Sequence, residues 1–221
     1  MRVMFGILAG LAAVTGSAQA ASSPLGPSPS EARMIATVDA EQARTLKFLE
    51  TMVNQNSGSR NQDGVRKVRD IVIPEFTALG FASRWIAMEQ TERAGHLVLT
   101  HKGRKGAKKM LLIGHLDTVF EPDSPFQRYV LQGDKAIGPG VGDDKGGIAV
   151  IVSALRAMQA AGTLKDANIE VFLTGDEEEA GHPVEVARAD LVASAKAAHV
   201  ALDFEGLSRV DGKDMGSIAR R

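Results

Sequence analysis

Three apolar runs constrain this chain more than anything else in it: "MLLIGH", "NIEVFLTGDEEE" and "AHVALDFEG". Each is too short for a buried helix, and each lacks the polar alternation of a half-exposed strand. They are the pattern of strands covered on both faces. Each also runs straight into histidine or carboxylate: "GHLD", "GDEEE", "LDFEG". Between them lie stretches of helical spacing. "GGIAVIVSALRAMQAAG" predicts a helix closed by Gly162, and "PVEVARADLVASAKA" a second. Strands alternating with helices predict an α/β fold, a mostly parallel sheet flanked by helices on both faces. In such folds ligands bind beyond the carboxyl ends of the strands, where these polar groups stand.

Upstream, Ile35, Val38, Leu46, Leu49 and Val53 keep helical spacing through "EARMIATVDAEQARTLKFLETMV". A further helix carries Val65, Val68, Val72, Phe76 and Leu79, with Pro74 inside it as an expected kink or break. "ASRWIAM" and "HLVLT" read as strands, the second followed by the basic turn "HKGRKGAKK". "YVLQGDKAIGPG" reads as a hairpin around Gly133–Asp134. Val200 and Leu202 are expected in the core, placing Asp203 and Glu205 on the opposite face.

The first twenty residues, "MRVMFGILAGLAAVTGSAQA", combine a positive start, a short apolar stretch and an Ala-x-Ala site. This predicts a signal peptide over residues 1–20, cleaved after Ala20, and a secreted or periplasmic protein without a stable membrane anchor. Residues 21–30 read as a Pro/Ser linker.

Charge and cysteine content narrow the chemistry. With 26 Lys+Arg against 27 Asp+Glu there is no basic excess for general nucleic-acid binding. With no cysteine, a metal must be held by carboxylates and by His96, His101, His115, His182 or His199. There is no Gly-x-Ser-x-Gly elbow and no His-Glu-x-x-His. Lys145 is followed by Gly146, not Ser or Thr, so "GDDKGG" is no P-loop; Lys145 also stands where a dinucleotide fingerprint needs its third glycine.

Four segments remain. In "GHLD", His115 and Asp117 point the same way on an extended chain, as a metal-bound histidine and its supporting carboxylate do. In "GDDKGG", Asp143 and Asp144 stand side by side. A divalent cation would offset their repulsion. Alternatively, one caps the next helix and Lys145 screens the other. "TGDEEEAG" offers a general base beside a ligand, or a solvated acidic helix start. "ALDFEG" presents Asp203 and Glu205 together.

In this order and spacing, "LLIGHLDTVF", "IGPGVGDDKGG", "TGDEEEAG" and "ALDFEG" resemble the zinc exopeptidases related to glutamate carboxypeptidase, which include acetylornithine deacetylase, succinyl-diaminopimelate desuccinylase and several dipeptidases. The resemblance covers about residues 31–221. It implies a catalytic domain with two zinc ions, for which cobalt or manganese can substitute, interrupted by a lid domain that often dimerises. It makes His115, Asp143, Glu178 and Glu205 metal ligands, with Asp143 bridging and Asp203 the runner-up for Glu205. Glu177 becomes the general base and Asp117 the carboxylate behind His115. A cis peptide is expected at Asp143–Asp144. The family needs a second zinc-binding histidine after the lid, and none of the other four histidines sits in a matching motif. Residues 31–221 are therefore expected to be the N-terminal part of the catalytic domain, without the lid and C-terminal segment. The implied substrate is a small peptide or N-acyl amino acid with a free carboxylate. An N-acyl amino acid deacylase and an inactive fragment are the alternatives.

Overall fold

The computed structural model describes residues 26–206, 208–211 and 213–215. The expected signal peptide and the first half of the linker lie outside the described residues. The end of the linker is already helical. α1 (Pro29–Ala40) opens with Ser28 and Glu31 forming a reciprocal cap and proline at its first position. The single helical stretch read from the sequence breaks at Glu41, and α2 (Gln42–Val53) begins directly after it. The break separates two environments. Ile35 and Val38 remain exposed, whereas Leu49, Met52 and Val53 are buried.

α3 (Gln62–Thr77) stays continuous through Pro74, so of the expected kink or break the break does not occur. Proline costs one hydrogen bond, but Val72 and Phe76 on either side of it are fully buried, and that packing outweighs the loss. Then follow β1 (Ala82–Met88), β2 (Arg93–His101), β3 (Lys109–His115), β4 (Val130–Gln132), β5 (Lys135–Ile137), α4 (Lys145–Ala160) and β6 (Asn168–Thr174). The chain continues with α5 (Val184–Ala187), α6 (Ala189–Ala197), β7 (Val200–Asp203), β8 (Ser208–Val210) and β9 (Lys213–Met215). β4 and β5 form the expected hairpin. The helix expected over residues 183–197 is two helices meeting at Arg188.

The main sheet has the order β1-β2-β6-β3-β7. β3 pairs parallel with β6 and β7, while β2 pairs antiparallel with β1 and β6. Four strands therefore point one way and β2 alone opposes them. The period-2 alternation sorts side chains to two faces. Leu97, Leu99, Leu112, Val171 and Leu173 join α2, α3 and α4 in the larger core. Val98, Leu111 and Phe172 face the other way, against Leu191 and Ala195 of α6. β7 departs from expectation. Among the described residues it is an edge strand paired with β3, and Val200 and Leu202 are exposed. No helix of the described residues is long and apolar enough to cross a membrane.

The strand directions put the ends of β3, β6 and β7 and the start of α4 on one rim. His115 is the last residue of β3, the acidic loop follows β6, Glu205 follows β7, and Asp144 opens α4.

Candidate metal centre

His115 is the hub. Its ring is buried, and Nε2 lies 2.7 Å from Asp143 Oδ1 and 3.4 Å from Glu205 Oε1. Two groups of donor atoms meet there: His115, Asp143 and Glu178 in one; His115, Asp144 and Glu205 in the other, each within 4.8 Å of one another. All four ligands expected from sequence thus converge. Asp203 joins neither group.

The adjacent aspartates behave differently from each other. The peptide between Asp143 and Asp144 is cis, as the resemblance implied. Asp143 projects into the open site, its side chain 60% exposed. Asp144 is fully buried and turned inward. It sits at the cap position of α4 but makes no capping bond; its Oδ2 accepts from the backbone N–H of His115 at 3.1 Å. Its Oδ1 is buried with no partner. Glycine makes room for this carboxylate: a Cβ at Gly114 would run into Asp144 Oδ2, and one at Gly147 into Asp144 Oδ1 and the Phe204 carbonyl. Lys145 does not screen the pair either. Its chain is buried and Nζ donates to the Gln55 carbonyl at 2.9 Å. The bland explanations for two neighbouring aspartates, a cap and a screening lysine, both fail in the structure.

Behind the hub, Asp117 is completely buried and saturated. Oδ1 accepts from Glu177 N at 3.0 Å, while Oδ2 accepts from Ser59 Oγ at 2.6 Å and Glu178 N at 3.2 Å. His115 Nδ1 lies 3.3 Å from Asp117 Oδ1 and 3.1 Å from the Asp117 carbonyl. One carboxylate therefore orients the imidazole and fixes the two glutamates of the loop. Glu177 itself is exposed at the rim.

The electrostatics describe a site with too much negative charge for its one histidine. Burial pulls the His115 pKa down, but the Asp117 hydrogen bond and the charges of Asp117, Asp144 and Glu205 overcome it and push it up to about 10. Burial raises Asp144 to about 8 and Glu205 to about 7, against the pull of His115. Glu178 is raised by burial and by Asp143. Burial would raise Asp117 too, but the bonds from His115 and Ser59 hold it low. A cation among these carboxylates answers the repulsion. The donors are one imidazole nitrogen and carboxylate oxygens with no thiolate, which suits zinc and comparable divalent ions.

Several supporting residues were not visible in the sequence. Arg93, nearly buried at the start of β2, donates Nε to the Glu179 carbonyl at 2.8 Å, and its NH2 group pairs with the Glu179 carboxylate at 3.0 Å. Arg60 holds the same carboxylate bidentately. Asp176 accepts from Gly181 N and from Arg188, and His96 Nδ1 accepts from Gly175 N. The acidic loop is thus pinned along its length. Beside it opens a polar cavity of about 770 Å³ lined in part by Arg60, Gln62, Gln90, Arg93 and His182.

Comparison with known proteins agrees with this geometry. Residues 111–209, which hold His115, the paired aspartates, the acidic loop and Glu205, match peptidase family M20/M25/M40. The chain is 34% identical over 183 residues to carboxypeptidase G2 of Pseudomonas sp. (strain RS-16), a match covering 78% of this chain and 41% of that protein. This chain is similar to peptidase family M20 over the segment that holds the site. It therefore spans about two fifths of the length of the curated M20 relative it matches. A second M20 relative is the succinyl-diaminopimelate desuccinylase of Gluconobacter oxydans (strain 621H), 35% identical over 82 residues, 35% of this chain and 21% of that protein. The fold resembles that of human carnosine dipeptidase 1, with a TM-score of 0.67 at 17% identity, covering 80% of this chain and 41% of that one. M20 enzymes are metal-dependent hydrolases, typically zinc enzymes.

Proposed function

We propose that the protein is a metal-dependent exopeptidase of the glutamate carboxypeptidase type, with a dinuclear zinc site. The observation that carries this reading is the convergence of Asp143, Glu178 and Glu205 on the buried His115. In this reading His115, Asp143, Glu178 and Glu205 would hold the metal. Asp144 stays a buttress, because its Oδ2 is engaged by the His115 backbone. The chemistry such ions supply is Lewis acidity, which polarises a carbonyl and makes water acidic enough to lose a proton near neutral pH.

The protein's own groups do the rest. Glu177 is exposed at the rim, and its backbone is tied to Asp117. It takes the proton of the attacking water as the hydroxyl joins the carbonyl carbon. It then delivers that proton to the amine nitrogen as the C–N bond breaks. Asp117 keeps His115 and both glutamates in register. The substrate class is a small peptide or N-acyl amino acid with a free carboxylate beside the scissile amide. Similarity to a desuccinylase over 82 residues supports an N-acyl amino acid deacylase as the second reading. Activity on acylated amino acids but not on peptides would select it. The leader-like first twenty residues support export; an intact N-terminus and a cytosolic protein on fractionation would refute it.

In the full-length protein, Glu177→Ala should bind zinc like the parent and lose about 10²-fold or more in turnover. Turnover within tenfold of the parent would rule Glu177 out as the base.

A further inference from the structure

At the pole of the sheet away from the metal centre, the chain carries a concentrated positive charge. Residues 102–108 join β2 to β3. These strands are not neighbours, so the loop must pass across the start of β6. Asn168, the first residue of β6, grips it on both sides: Gly103 N donates to Asn168 Oδ1 and Asn168 Nδ2 donates to the Ala107 carbonyl, both at 2.8 Å. Arg104 N donates to the Asp166 carbonyl, and Ala107 N to the Arg104 carbonyl. The backbone is a built turn. The side chains of Lys102, Arg104, Lys105 and Lys108 are exposed, with Lys165 exposed in the adjoining turn. Two acids belong to this neighbourhood. Glu170 is engaged by Lys109 at 2.9 Å, leaving the exposed Asp166 against five cations.

The position matters as much as the charge. The basic loop lies at the N-terminal ends of β3 and β6; His115 and the acidic loop lie at their C-terminal ends. Seven residues of strand separate the two poles by about 20 Å. The formal net charge is −1, so attraction to an anion must be local and oriented.

We propose that this loop docks the protein reversibly on an anionic lipid bilayer, with the metal centre facing away from the surface. An anionic plane attracts the basic pole and repels the carboxylate-rich one, so electrostatics alone sets the orientation. A lipid surface fits better than single-stranded nucleic acid because residues 102–109 contain no aromatic side chain on which bases would stack, and better than a duplex because the chain has no overall basic excess. The inference is independent of the catalytic reading.

The test is sedimentation of the full chain with phosphatidylcholine vesicles containing 0–40% phosphatidylglycerol. Binding should rise with phosphatidylglycerol and fall with salt. The combined variant Lys102→Gln, Arg104→Gln, Lys105→Gln, Lys108→Gln should lose roughly fivefold in partition per charge removed, with zinc binding unchanged. Equal binding to pure phosphatidylcholine, or equal binding by the variant, would overturn the proposal and point to the apolar first twenty residues. Tighter binding to a DNA duplex than to the anionic vesicles, or displacement by inorganic phosphate at matched ionic strength, would overturn it as well.

Discussion

Asp117→Asn isolates what the buried carboxylate does. Asparagine has the same shape but only one acceptor oxygen. In the structure Oδ1 serves Glu177 N and faces His115 Nδ1, while Oδ2 serves Ser59 Oγ and Glu178 N. Ser59 can rotate its hydroxyl to accept; backbone N–H groups cannot. Whichever way the amide turns, its NH2 group faces a backbone N–H of the acidic loop in a buried setting. A buried donor left without a partner costs about 1–3 kcal/mol, and the lost charge-assisted bonds act in the same direction. The Asp117 pKa is held low by its hydrogen bonds despite burial, so in the metal-free protein the ionised form contributes net stability. The variant should therefore lose about 2–4 kcal/mol in urea unfolding. Zinc affinity should drop about 10–100-fold, because His115 is no longer held in its tautomer. Calorimetric zinc titration and urea melts on parent and variant read both quantities. A variant that unfolds and binds zinc as the parent does would refute the claim that one carboxylate orients both the imidazole and the loop.

Three further outcomes follow from the same geometry. Zinc needs a neutral His115 nitrogen, and in the metal-free protein that ring holds its proton up to about pH 10. Zinc affinity should therefore rise about tenfold per pH unit between 7 and 8, and more steeply below about 7 where Glu205 also carries a proton, with measurable proton release; a flat profile would show that His115 is not a ligand. The metal-free protein should move the opposite way. His115, Asp144 and Glu205 bind protons more tightly when folded, so its stability falls as pH rises from about 5 to 8; above that the buried Lys145 amine, pushed down to about 7, offsets His115 and the curve flattens; urea melts across pH 5–10 check the sign. Gly147→Ala drives a methyl into Asp144 and the Phe204 carbonyl, and should cost about 1–3 kcal/mol and weaken zinc binding; unchanged stability would mean the Asp144 pocket is slack.

The sequence disclosed the parts of this architecture that rest on local pattern. The apolar runs of β3 and β6 and the periodic face of α4 were legible because burial on both faces, or on one helical stripe, leaves a one-dimensional signature. The segments "GHLD", "GDDKGG", "TGDEEEAG" and "ALDFEG" could be placed on one rim because each ends such an element or opens one; the choice among their acids came from family resemblance. The cis peptide came from family resemblance, not from spacing. What stayed hidden depends on contacts between distant segments. Nothing in "TERAG" marks Arg93 as a clamp on a loop 86 residues away. Asp144 looks like a helix cap, yet it turns to the His115 backbone because two glycines open that path. β7 reads as a buried strand because apolar pattern reports the capacity to be covered, while its place at the sheet edge is set by strand order.

The central claim is that side chains from separate strand ends gather around a divalent cation. Crystals of the protein soaked in zinc, with diffraction collected on either side of the zinc absorption edge, test it most directly. The account predicts an anomalous peak within coordination distance of His115 Nε2 and the Asp143 carboxylate, lost in His115→Ala. A zinc-loaded crystal with no density among His115, Asp143, Glu178 and Glu205, or with its zinc bound elsewhere, would contradict it.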